Sequence, residues 1–130
     1  MFIPRPTGAD NTARIIVNVS GIQSNEGLVQ VALYASNDTF LEEPFMAQRY
    51  QLKESGEVEV VFDKVPHGEY AIAVYHDKNS NNELDTNFMG IPTEPYGFSN
   101  NYNPKLSAPK YKNAIVTIDQ NNQQVDVRVS

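Results

Sequence analysis

Asp77, Asn79, Asn81 and Asp85 place oxygen-bearing side chains at the first, third, fifth and ninth positions of one polar stretch, His76 to Asn87. With that spacing a tightly curled loop can turn every one of them inward onto a single hard cation. Calcium takes about six to eight oxygens, and the backbone carbonyl of Glu83, at the seventh position, adds one more. The competing reading is turn chemistry, in which Asn, Asp and Ser bond to their own backbone. That accounts for the enrichment but not for the spacing.

Two positions depart from the EF-hand calcium loop. The sixth is Asn82 in place of Gly, which Asn tolerates because it enters the left-handed region more readily than other side-chain residues. The twelfth is Phe88, so the bidentate Glu is missing and Asn87, Glu94, another loop or water must complete the shell. Two formal negative charges among four side-chain ligands predict a weak Ca²⁺ site, with a dissociation constant of about 10⁻⁴ to 10⁻³ M.

His76 raises a different chemistry, a small hydrolase or isomerase pairing it with Glu94 or Glu69 as acid and base. Adjacent strand residues point to opposite faces, so His76 and Asp77 do not form a natural dyad. The chain has no Cys and no nucleophile motif of the G-x-S-x-G kind. The whole reading therefore rests on His76 and a nearby Glu, and an enzyme is the less favoured class.

Downstream, residues 88–102 are dense in Gly, Pro and aromatics within a connection, Asp77 to Lys112, far longer than ordinary loops. Phe88 and Phe98 are expected to pack on the sheet face carrying Ala71, Ala73 and Tyr75, with Tyr96 and Tyr102 partly exposed. If these aromatics are instead exposed, His76, Glu94, Tyr96, Asn100, Asn101 and Tyr102 would form a platform for a glycan or an extended peptide.

The elements that must hold this loop are strands. Ile15, Val17 and Val19 alternate with Arg14, Ile16 and Asn18 over 13–20, and Val29, Val31 and Leu33 alternate over 28–35. An antiparallel hairpin is the simplest pairing of the two. A single helical turn capped by Asn37 or Asp38 follows, with Phe40 and Phe45 expected to plug the end of the core. Further strands are expected at 47–52, 57–62 and 70–76, and 113–119 with 123–129 reads as a final hairpin. The strand Tyr70 to His76 has two non-polar faces and should be central.

Six or seven strands with polar turns and no convincing helix predict an all-β, antiparallel Greek-key β-sandwich carrying one long loop. The 130 residues suit one domain over 13–130, preceded by an extended lead-in at 1–12. A net charge of -6 and a pI near 4.8, with scattered basic residues, make nucleic acid an unfavourable partner. No apolar run approaches the ~20 residues a membrane span needs, and the first residues lack the pattern of a signal peptide. Neither composition nor charge fixes an oligomeric state.

The blocks Gly68–Asp77, Asn79, Asn81, Leu84–Asp85, Asn87, Gly90–Glu94 and Tyr96–Asn101 together resemble a bacterial family of small exported proteins classed as a domain of unknown function. The resemblance extends over about 27–129 and implies a periplasmic or secreted location, with no established activity. The chain departs from that family in lacking a signal peptide and in having Asn82 where Gly is usual. More distantly, the turn Pro66-x-Gly68-x-Tyr70 into a buried strand looks like the prealbumin-like sandwiches, including carboxypeptidase regulatory domains. Some of these carry calcium in Asp/Asn loops.

Overall fold

The alternation in β1 (Thr12–Ile22) buries Ile15, Val17 and Val19, and that in β2 (Leu28–Tyr34) buries Val29, Val31 and Leu33. Both rows enter one core, yet the two strands do not pair. The expected hairpin is instead an arch between two facing sheets. A period of two states which face is buried, and an arch satisfies that requirement as well as a hairpin does.

The computed structural model describes residues 12–23, 25–53, 56–77, 94–102, 104 and 109–130. The expected lead-in lies outside these except for Thr12, which already belongs to β1. The remaining strands are β3 (Met46–Gln51), β4 (Gly56–Pro66), β5 (Gly68–Asp77), β6 (Tyr96–Phe98), β7 (Ile115–Ile118) and β8 (Asn122–Arg128). The fold is the expected all-β sandwich, with eight strands among the described residues in two sheets whose pairings are antiparallel except that of β1 with β8. One sheet runs β4-β1-β8, with β8 parallel to β1. The other runs β3-β2-β5-β6, with β7 also on β5. The expected final hairpin is thus a second arch, since β7 and β8 lie in different sheets.

The two sheets differ in their outer faces. The three-stranded sheet shows water a polar face, where the Asn18 amide donates to Gln124 and Asp126 at 2.9 and 3.0 Å. In the five-stranded sheet β5 is covered on both sides, buried from Tyr70 to Asp77. Tyr70, Ile72, Val74 and His76 face the core between the sheets; Ala71, Ala73, Tyr75 and Asp77 face the other way.

On that second face the small side chains of Ala32, Ala71 and Ala73 leave room for an aromatic layer of Tyr34, Phe40, Tyr96, Phe98, Tyr102 and Tyr111. Phe98 is 1 % exposed, buried as expected, but as a strand residue of the sheet itself in register with Ala73. Tyr96, expected to be partly exposed, is buried, because its hydroxyl donates to the Pro104 carbonyl and its backbone pairs with Ser130. Phe45, expected to plug the core, is exposed and meets the ring of Tyr70. The helical turn forms at Asn37–Thr39 behind Ser36, without a side-chain cap. Phe88 lies outside the described residues.

The block Tyr96–Asn101 is a lock between elements. The far edge of β5 is shared by β7 over Gly68–Ala71 and β6 over Ala73–Tyr75. At the break Ile72 N–H donates to the Ser99 hydroxyl at 3.0 Å, and that hydroxyl donates to the Ala114 carbonyl. Asn100 and Asn101 turn the chain in the left-handed region, φ 66° and 56°, which Asn accepts at little cost. The Asn100 amide donates to the Ile115 carbonyl.

Gly97 permits the end of β8 to cross β6: a Cβ there would stand 2.1 Å from the Arg128 carbonyl oxygen. Backbone must move to admit even a methyl. Gly97→Ala is therefore expected to destabilise the protein by about 1–3 kcal/mol, read as a lower midpoint in urea unfolding.

Burial of the Tyr34 phenol, 6 % exposed, pushes its pKa from near 10 up to about 12. Between those values the unfolded chain releases the proton while the folded chain keeps it. Stability is thus intact below pH 10 and falls as pH rises toward 12, by up to about 1.4 kcal/mol per unit. Tyr34→Phe should flatten that part of the stability curve, as measured by denaturant midpoints from pH 8 to 12.

Candidate metal site at the mouth of the long loop

Asp77 is the last residue of β5, a strand made central by two non-polar faces, and its side chain is 0 % exposed. Leu28 of β2 is its register partner on one side. On the other side, the His76 N–H donates to the Pro95 carbonyl at 2.9 Å, and Tyr75 pairs with Tyr96. The chain that leaves the sheet after Asp77 therefore returns beside the same strand end. Both roots of the long loop are tied to one rigid element.

Asp77 shares its face with a row of side chains from four strands. Register places Arg49 of β3, Gln30 of β2, Tyr75 of β5 and Tyr96 of β6 side by side. Gln30 is nearly buried, and Arg49 Nε donates to its side-chain oxygen at 3.4 Å. Burial, then the charge of Asp77, then Tyr34 and Glu94, raise the Tyr75 pKa, while Arg49 acts in the opposite sense. Two carboxylates, Asp77 and Glu94, thus both act on one buried phenol. A carboxylate removed from water is held only where donors or a cation compensate it.

His76 sits on the opposite face, 1 % exposed. Its Nε2 lies 2.6 Å from the Glu26 carbonyl, which can only accept, so the proton is on Nε2. Nδ1 is buried and has no hydrogen-bond partner among the described residues. The ring fastens the turn between β1 and β2 to the root of the loop. Glu69, one of the two acids considered with it, lies on the other face of β5 and seven residues away, about 23 Å at ~3.3 Å per residue.

Of the expected metal ligands, Asp77 stands where a loop site would begin; Asn79, Asn81, Glu83 and Asp85 lie outside the described residues. Among the described residues no three His, Asp or Glu side chains converge as a ligand set. Of the residues considered for a ligand platform, Asn100 is held by Ile115, Tyr102 is half-buried with its hydroxyl accepting from Lys110 N–H at 2.9 Å, and Glu94 is half-buried beside Tyr75. Sequence reasoning missed Gln30 and Arg49. The available signal was a Gln inside an otherwise apolar strand, but joining it to Tyr75 requires the β2–β5 register, which periodicity does not supply.

Residues 17–126 match a family model described as "Uncharacterized protein conserved in bacteria (DUF2141)". Comparison with curated proteins and with solved structures gives no match.

Proposed function

The chain belongs to the DUF2141 family of bacterial proteins, and within it we propose a non-enzymatic binding or structural domain of the cell envelope whose long loop is ordered by calcium. The observation that carries this reading is Asp77, fully buried at the end of a central strand, as the first residue of the D-x-N-x-N-x-x-x-D spacing. An ion held by Asp77, Asn79, Asn81, Asp85 and the Glu83 carbonyl would tie the first part of the loop to a strand end already fixed by β2 and Pro95. Ordering a loop costs about 1–2 kcal/mol per residue in backbone entropy, which coordination of the ion would help offset.

A site of about 10⁻⁴ to 10⁻³ M would suit an envelope location, since such sites belong to compartments with abundant calcium. Thermal unfolding with and without chelator tests the reading. Millimolar Ca²⁺ should raise the midpoint and Mg²⁺ should do so much less, because Mg²⁺ demands a tighter octahedron. Superimposable melts in Ca²⁺ and in chelator would remove calcium from the account.

A further inference from the structure

Away from the loop mouth, the aromatic layer opens into a groove of about 460 Å³ lined by Asn37, Phe40, Pro109, Lys110, Tyr111 and Lys112. That volume lies within the range of about 300–1,000 Å³ usual for small-molecule sites. Its walls are two short 3-10 turns, Asn37–Thr39 and Tyr111–Asn113. Both are pinned before any ligand arrives. Phe40 N–H donates to the Asn37 carbonyl at 3.4 Å, Ala114 N–H to the Tyr111 carbonyl at 3.0 Å, and the Lys110 N–H to the Tyr102 hydroxyl. Phe40 meets Tyr111 edge-on at 5.8 Å and is backed by Tyr34 and Phe98.

The charge of the groove opposes that of the molecule. In a chain of net charge -6, two of the ten basic residues flank one tyrosine here, and among the described residues neither lysine has an ion pair. No carboxylate lines the groove among the described residues. The nearby acids are exposed: Asp38, beside Asn37, and Glu69, which after burial is the second cause raising the Tyr111 pKa. Ring surfaces offer a bed for the C–H face of a pyranose, the Asn37 amide can bond hydroxyls, and two ammonium groups can bond a carboxylate.

We propose that this groove binds a carboxylated sugar, one uronic acid unit of an acidic glycan, with Phe40 and Tyr111 under the ring and Lys110 and Lys112 on the carboxylate. An acidic peptide fits less well, because the lining is turns and a proline and itself includes no strand residue to pair a main chain. The lining of the groove includes none of the residues of the proposed calcium site.

Calorimetric titration of the whole protein with tetragalacturonate, neutral galactotetraose, tetraglutamate and tripolyphosphate tests the proposal. Tetragalacturonate should bind saturably and more tightly than the other three. The exposed pair Lys110→Gln and Lys112→Gln together should weaken it about tenfold or more, and Tyr111→Ala likewise, while Tyr111→Phe retains binding and all variants keep the parent's circular dichroism. Equal binding of tetraglutamate or tripolyphosphate would reduce the groove to a cation patch, and equal binding of galactotetraose would deny the lysines their role. Either result, or full binding by Tyr111→Ala, overturns the proposal.

Discussion

Phe98→Ala should destabilise the protein by about 3–5 kcal/mol. The ring is 1 % exposed and lies 5.5–5.8 Å from the rings of Phe40, Tyr96 and Tyr102. Its place cannot be filled from below, because Ala32 and Ala73 are the side chains under that layer. A cavity would remain, and the lost contacts add to the lost transfer energy. Urea unfolding at constant slope reads the change as a lower midpoint. A loss under about 1 kcal/mol would mean that the layer only rests on the sheet.

Asp77→Asn should abolish the stabilisation by calcium while keeping the shape of the side chain. At 10 mM Ca²⁺, about ten to a hundred times the expected dissociation constant, a site present only in the folded state adds roughly 1.4–2.7 kcal/mol. That is a rise of several degrees in the melting midpoint for a chain of this size. The variant should melt alike in Ca²⁺ and in chelator. A full calcium response from Asp77→Asn would place the ion elsewhere.

Strands were legible in the sequence because one wet face and one dry face impose a period of two, as in Val58, Val60 and Phe62 of β4 or Val29, Val31 and Leu33 of β2. The central place of β5 was legible for a related reason: Tyr70 to His76 offers water neither face. Pairing was not legible. The inward rows of β1 and β2 meet across the core as arches do, and nothing in their alternation separates that arrangement from a hairpin. Three-residue β6 is too short to show a period, and Gly97 is explained by the backbone of Arg128, distant in the chain and brought close by the β1–β8 pairing.

The candidate site divides in the same way. Asp77 and its spacing to Asn79, Asn81 and Asp85 are local and could be read directly. The row Arg49–Gln30–Tyr75–Tyr96 is assembled across four strands, and the lysine groove joins residues near 40 to residues near 110. Neither has a local pattern. Both follow from the small residues Ala32, Ala71 and Ala73, which give the large sheet a second face to cover.

Calorimetric titration of the unaltered protein with Ca²⁺ tests the central claim most directly, with tyrosine emission followed in parallel, since the chain has seven Tyr and no Trp and Tyr75 feels the charge of Asp77. The account predicts one saturable site with a dissociation constant of about 10⁻⁴ to 10⁻³ M, much weaker for Mg²⁺, and an emission change that saturates with it. Absence of saturable heat up to about 10 mM Ca²⁺, well above that range, would contradict it.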